Sequence, residues 1–307
     1  MQAQSRGAPT PRDLASWGQE VEFRREAVGH PLPATLCRGS EKLYDAPMIY
    51  TAQNLDLPHA LFYSWTGWPE QGTTFAGSLS QERKVELMAA WQHDGFTPES
   101  LVITATKAHL TCAVTPDITP VFYAARAKGR LQHALRQAGM PCAFSRKASV
   151  RALGKNITHV VQAYIRNQLE HVELADPRYR KRLAEAAYDD PKVQLENPVE
   201  LNRSRYWYNL HIVLVVANRF RLGGASLLSG LHECFQAISQ QAGLQLRSFA
   251  IMPDHVHLAV QGDPARSPRE LGTLFQNASA RVAGCRLWQD DFYVGTFSEY
   301  DMSAIQD

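Results

Sequence analysis

The stretch Ile251-Met252-Pro253-Asp254-His255-Val256-His257-Leu258-Ala259-Val260 is the one from which the rest of the chain is read. Pro253-Asp254 reads as a turn that opens a strand. Residues i and i+2 of a strand share a face, roughly 6.6 Å apart along the chain, so His255 and His257 stand side by side while Val256 turns into the core. Two imidazoles so placed can share one metal ion. The same spacing also suits two polar residues on the wet face of a half-buried strand. Either way both histidines are expected near the surface.

Around this strand lies a regular order of elements. Residues 210–216 form an apolar run of strand length, 226–242 read as a helix, and 246–252 pair with the histidine strand over 255–261. Ser267-Pro268-Arg269-Glu270 is a capping box with proline at the first helical position, opening a helix to about 283. A last strand is expected within 288–296. The same order occurs earlier. It runs through a strand over 60–65, a helix over 80–92, a strand pair over 101–106 and 109–114, a helix from Thr119-Pro120 to about 138, and a strand over 144–150. A further helix, capped by Asn156 or Thr158, contains Val160, Val161, Tyr164 and Ile165. His255 follows His109 by 146 residues, Asp263 follows Asp117 by 146, Glu233 follows Glu86 by 147, Pro268 follows Pro120 by 148 and Cys285 follows Cys142 by 143. Offsets this constant read as one ferredoxin-like α+β unit written twice. In this alignment Thr111 stands where the second half has His257, so the first half lacks the histidine pair. The expected boundaries are an irregular arm over 1–58 with a short helix over 14–27, a first unit over 59–173, and a linker over 174–207 with one helix over 180–187. A second unit follows over 208–307.

With 307 residues the chain is long enough for two domains. It has no apolar run of membrane-span length and no signal-peptide core at its start. The five cysteines, Cys37, Cys112, Cys142, Cys234 and Cys285, are scattered without a Cys-x-x-Cys pair, which points to the reducing cytoplasm rather than to a disulfide framework. The net charge of +2 is uninformative, but its distribution is not. Between Asp117 and Glu170 no acidic residue occurs, while Arg126, Lys128, Arg130, Arg136, Arg146, Lys147, Arg151, Lys155 and Arg166 all do. A stretch of one sign suits a polyanion such as DNA, unless acidic groups from elsewhere balance it in space.

Three motifs carry a family resemblance: Pro253-Asp254-His255-Val256-His257-Leu258, Phe292-Tyr293-Val294-Gly295-Thr296 and Tyr164-Ile165-Arg166-Asn167-Gln168. Together they resemble the single-tyrosine HUH transposases of insertion sequences, including the REP-associated type. The resemblance implies two RRM-like α+β domains with antiparallel sheets, forming a pseudo-dimer within one chain. It further implies that His255, His257 and Gln168 hold Mg²⁺ or Mn²⁺ and that Tyr164 is the nucleophile. Single-stranded DNA, hairpin-containing, is then cut through a 5′-phosphotyrosine and rejoined. The order departs from that of the family, because the tyrosine helix precedes the intact histidine pair. By the offset, Asp307 falls opposite Ala163, so a second tyrosine would come at position 308. One half then keeps the tyrosine helix and the other the histidines, as a fused dimer with tyrosines in trans would after losing one of two sites.

The spacing suits this chemistry. On a helix, Tyr164 and Gln168 at i and i+4 share a face, so Gln168 could give its oxygen to the ion while the phenol stands one turn away. Imidazoles alone would equally suit Zn²⁺. Tyr293 and Tyr300 are rival nucleophiles, His109 reads as a relic and His171 as solvated. Two other functions fit the same residues: a replication initiator or terminal protein that stays on a DNA end, and a non-catalytic binder of DNA hairpins.

Overall fold

The computed structural model describes residues 48–51, 61–75, 78–140 and 143–300. The helix expected over 14–27 and most of the expected arm lie outside the described residues. What is described is a mixed α+β fold built on two sheets. The first is assembled from β1 (Leu61–Pro69), α1 (Gln81–His93), β2 (Phe96–Ile103), β3 (Ala108–Val114), α2 (Pro120–Gln137) and β4 (Phe144–Leu153). A crossing helix, α3 (Thr158–Arg166), leads to α4 (Pro177–Ala186) and three short strands, β5 (Tyr188–Asp189), β6 (Val199–Leu201) and β7 (Ser204–Trp207). The second sheet uses β8 (Asn209–Val215), α5 (Ala225–Gln241), β9 (Gln245–Ile251), β10 (His255–Gln261), α6 (Pro268–Ala283) and β11 (Tyr293–Phe297).

The sheet orders are β2-β3-β1-β4-β7-β6 and β11-β8-β10-β9-β5. Within each, the four strands of the β-α-β-β-α-β run follow one order: second, third, first, fourth. All pairings among these strands are antiparallel, and only β4 with β7 is parallel. The segment expected as a linker therefore contributes to both sheets. Strand β5 extends the second sheet beside β9, and the β6–β7 hairpin extends the first beside β4. Asn202 and Arg203 both have positive φ, as the two central residues of a tight hairpin turn require.

Local chemistry starts the helices where the sequence indicates. Ser80 accepts from the Arg83 N–H, Thr119 from the Phe122 N–H, and Ser267 forms a capping box with Glu270. Helix α4 opens on Asp176 with Pro177 at its first position, three residues before the expected start. Strand β2 begins at Phe96, ahead of the expected 101, and runs through Pro98. Proline is tolerated there because β2 is an edge strand, and the register shifts between Pro98 and Ser100. The last strand lies in the expected stretch, at its C-terminal end, and Trp288 forms only an isolated bridge with Val216.

A continuous apolar core joins the layers. In the second sheet Val256, Leu258 and Val260 of β10 and Leu210, Ile212 and Leu214 of β8 are buried with Leu231 and Phe235 of α5 and Phe275 of α6. The same core continues into Tyr63, Trp65, Leu110 and Tyr123 around the first sheet, with the Tyr63 and Tyr208 rings meeting edge to face at 6.2 Å. The loops after β3 and β10, with the first turns of the helices that follow them, clasp each other. The Val121 N–H donates to the Pro264 carbonyl, the Arg269 N–H to that of Pro116, and the Arg269 guanidinium pairs with Asp117.

Candidate active site

The pleat of the second sheet sorts its residues into two faces. Leucine, isoleucine and valine face the core described above. The opposite face carries His255, His257 and Ala259 from β10. Register then adds His211 from β8, beside Ala259, and Ala250 from β9, beside His257. Tyr293 and Gly295 of β11 lie across from Val213 and His211. This face is covered by α3, the helix that leaves the first sheet. Val161 and Ile165 of α3 pack with Ala250, Ala259 and Phe297, and small side chains at 250 and 259 leave room for the helix.

Neither Asn156 nor Thr158 caps α3, contrary to expectation. Its N-cap is Ile157, without a side-chain cap bond, and the Thr158 hydroxyl is buried without a partner among the described residues. Tertiary contacts replace the cap: Ile157 bridges Ser298, and the Thr158 N–H donates to the Ser298 carbonyl at 2.8 Å. The chain just before α3 presses on the second sheet as well. A Cβ at Gly154 would fall 1.9 Å from the Thr296 carbonyl oxygen, and the Thr296 hydroxyl bonds to the Leu153 carbonyl.

This docking brings Tyr164 to the histidines. Its ring centroid lies 5.4 Å from that of His257, edge to face, and 6.1 Å from that of His211. The His255 and His257 rings are 4.8 Å apart. His255 Nδ1 is 2.7 Å from Asp254 Oδ1, and His257 Nδ1 is 2.9 Å from His211 Nε2. His255 is half-buried, but His257 is buried, so the expectation that both lie near the surface holds for one of them only. Helix α3 and the neighbouring strands enclose the second position of the motif.

Burial holds His257 well below the usual imidazole range, helped by the positive forms of His211 and His255, and takes His211 down to about 4. Both are therefore neutral at neutral pH, the state in which an imidazole nitrogen can bind a metal. His257 Nε2 is buried with no hydrogen-bond partner among the described residues. A buried polar atom left unpaired is costly, so this nitrogen fits one kept for a ligand. Asp254 accepting from His255 Nδ1–H would leave a lone pair on His255 Nε2 too. Among the described residues no group of three or more His, Cys, Asp or Glu is placed to hold a metal ion. Further ligands would have to be amide or substrate oxygens.

Gln168 does not share a helix face with Tyr164 as the spacing predicts. Helix α3 ends at Arg166, and Gln168 begins a 3₁₀ turn. It is buried, and its side-chain amide donates to the Tyr164 carbonyl at 3.2 Å. Of the rival tyrosines, Tyr293 is beside the site, 5.7 Å from His211, with its phenol folded over Gly295. Burial, reinforced by Tyr164, pushes the Tyr293 phenol far above its ordinary range. Tyr300 stands apart against Arg151 at 5.0 Å. His109 has a hydroxyl at each ring nitrogen, Thr66 at 2.8 Å and Thr111 at 3.4 Å.

The basic stretch divides. Arg130 forms a two-pronged pair with Asp94, and Arg126 lies 3.9 Å from the same carboxylate. Lys128 donates to the Ser145 carbonyl, and Arg151 pairs with Glu299 and stacks 3.5 Å over the Trp207 ring. Acidic groups outside the stretch thus offset part of it. Arg136, Arg146, Lys147 and Lys155 are exposed and make no ion pair among the described residues.

His211 and Asp254 are the site residues that motif reading overlooks. His211 is the one polar residue inside the apolar run 210–216, and only the pairing register reveals that it shares a face with His257.

Residues 204–307 match the family model described as "Transposase IS200 like". The ISDra2 transposase TnpA of Deinococcus radiodurans is 28% identical over 124 residues, covering 36% of this chain and 89% of that protein. A solved structure of a candidate transposase from Deinococcus radiodurans shares 26% identity, covers 32% of this chain and 85% of its own, and superposes with a TM-score of 0.28. The regulatory subunit of aspartate kinase from Thermus thermophilus aligns with 74% of this chain and 99% of its own, at 10% identity and a TM-score of 0.17. Neither TM-score is high enough to equate the folds.

Proposed function

We propose that this chain, whose residues 204–307 match the IS200-like transposase family, cuts and rejoins single-stranded DNA at one composite site. The observation that carries the reading is the position of α3: it leaves the first sheet and lies on the histidine face of the second, with Tyr164 5.4 Å from His257. The nucleophile and the histidines thus come from the two halves of a pseudo-dimer. The common strand order of the two sheets supports a duplication. The closed hydroxyl contacts of His109 support loss of the site on the first sheet.

In this mechanism the Tyr164 oxygen attacks the scissile phosphorus. A bond from tyrosine oxygen to phosphorus forms, the bond from phosphorus to the 3′ oxygen breaks, the phenol proton is lost, and the 3′ oxygen takes up a proton. The 5′ end stays on the protein as a phosphotyrosine. Exchange of one phosphodiester for another conserves the bond, so rejoining by a 3′-hydroxyl is the same step reversed. His255 and His257, with the side-chain oxygen of Gln168, would hold Mg²⁺ or Mn²⁺, which would polarise the phosphate as a Lewis acid. Asp254 orients the His255 ring, and α3 shields the centre from water. Tyr293, held protonated by burial, is unsuited to attack.

The test is a cleavage assay on labelled, hairpin-containing single strands. A covalent protein–DNA adduct is expected with Mg²⁺ or Mn²⁺. It should be absent with EDTA and absent in His255→Ala, which keeps the melting temperature within a few degrees because the ring is half-buried. His257→Ala should also be inactive but costs about 1–3 kcal/mol of stability, since it strands His211 Nε2 in the interior. Tight binding of the hairpin with no cleavage under any divalent ion would favour a non-catalytic binder. An adduct that forms and never reseals would favour a terminal protein.

DNA affinity should rest on the unpaired cations. Reversing the charge of Arg146 and Lys147 is expected to weaken single-strand binding and to flatten the log–log salt dependence by about 0.7 for every phosphate no longer neutralised. Reversing Arg130 should instead lower stability, because Asp94 loses the partner that depresses its carboxyl. An unchanged salt slope in the Arg146/Lys147 variant would mean that this strand faces away from DNA.

A further inference from the structure

We propose that His211 is a positioning residue that fixes the tautomer and the ring orientation of His257. This rests on the metal-dependent reading above and extends it to a residue outside the His-x-His motif. One hydrogen bond of 2.9 Å joins His211 Nε2 to His257 Nδ1, and one proton must lie between them. Two arrangements of neutral rings satisfy it. If His211 donates, His257 carries its own proton on Nε2, a buried N–H that has no acceptor among the described residues. If His257 donates, its Nε2 presents a lone pair. Only the second arrangement can bind a cation, and it requires His211 Nε2 to act as the acceptor.

The surroundings favour this role. The two rings lie nearly parallel, 19° apart with centroids 5.2 Å apart, so His211 also limits rotation of its partner. Gly295, opposite His211 on β11, leaves room for the Tyr293 phenol, whose ring meets that of His211 at 5.7 Å. The first sheet supplies the contrast. Ala113 pairs with Phe62 as Ala259 pairs with His211, and Thr111 and Ala113 have the spacing of His257 and Ala259. Phe62 and Thr111 thus stand where the second sheet has His211 and His257. The acceptor and the ring it would orient are absent together.

The experiment uses the full chain with ¹⁵N-labelled histidine, and Mn²⁺ alone as the probe. In the metal-free protein, long-range ¹H–¹⁵N spectra should show His257 protonated at Nδ1 and bare at Nε2. His211→Leu, which removes the acceptor, should shift His257 toward the other tautomer and weaken Mn²⁺ binding by about 10–100-fold. His211→Gln, which restores an acceptor oxygen, should return both the tautomer and most of the affinity. A purely packing role for His211 would predict the reverse order, with leucine tolerated better than glutamine. A wild-type chain that binds Mn²⁺ with His257 protonated at Nε2, or His211→Leu binding as tightly as wild type, would overturn the assignment alone. Failure of the wild-type chain to bind Mn²⁺ at all would overturn the metal-dependent reading and this role with it.

Discussion

Tyr164→Phe is expected to abolish the proposed covalent adduct, to the limit of detection, and to leave fold, metal uptake and DNA affinity in place. The substitution removes only the hydroxyl, which makes no hydrogen bond among the described residues, so stability should change by no more than about 0.5 kcal/mol. The ring stays against His257 and His211. No neighbouring group can replace the lost oxygen. The Tyr293 phenol is close but buried and held in its protonated form, and the Tyr300 ring is engaged by Arg151 away from the histidines. Peptide mapping of an adduct trapped on the wild-type chain decides the matter. DNA on Tyr293 or Tyr300 would sink the composite site, even with a genuine duplication.

Gly154→Ala should silence cleavage nearly as completely, from a residue that touches neither DNA nor metal. The added carbon would sit 1.9 Å from the Thr296 carbonyl oxygen and 2.9 Å from its carbon, both backbone atoms that cannot turn aside. Something must move, and the nearest movable part is the link into α3, whose N-terminus is held by Ser298 rather than by a side-chain cap. Overpacking of this kind costs about 1–3 kcal/mol. The core shared by the two sheets lies apart from the small cluster under α3, so the loss should be local. Amide exchange should accelerate in α3 and stay slow in β8 and β10 while the adduct disappears. Full activity with slow exchange in α3 would show that helix docking does not depend on this close approach.

Much of this architecture is legible in the residues. Ser80, Thr119 and Ser267 announce helix starts because a cap is a local device, written within four residues. The alternation around His255 and His257 places them on one face because pleating is local too. What escapes the sequence is set by contacts distant along the chain. Helix α3 lacks a capping side chain because Ser298, far along the chain, supplies the acceptor. Gln168 falls off the helix although its spacing fits one, since nothing local announces that α3 stops at Arg166. His211 is hidden within an apolar run, where a lone histidine carries no signal until β8 is paired with β10. The 174–207 segment reads as a linker because strands of two to four residues leave no periodicity to detect. Its order comes from the sheet edges that receive it.

The four-residue link from Gly154 to Ile157 has a kinetic consequence. Where a nucleophile and its partner groups belong to separate molecules, dilution empties the site. Here β4 ends at Leu153 and α3 begins at Thr158, so the helix is confined to the neighbourhood of the second sheet at the millimolar effective concentration typical of short tethers. Turnover per molecule should therefore stay constant as the protein is diluted, with no lag for assembly. On the proposed reading, the same tether gives each molecule one composite site, with Tyr164 set against His257. Two DNA ends would then be processed one after the other by one chain, or together only when two chains meet.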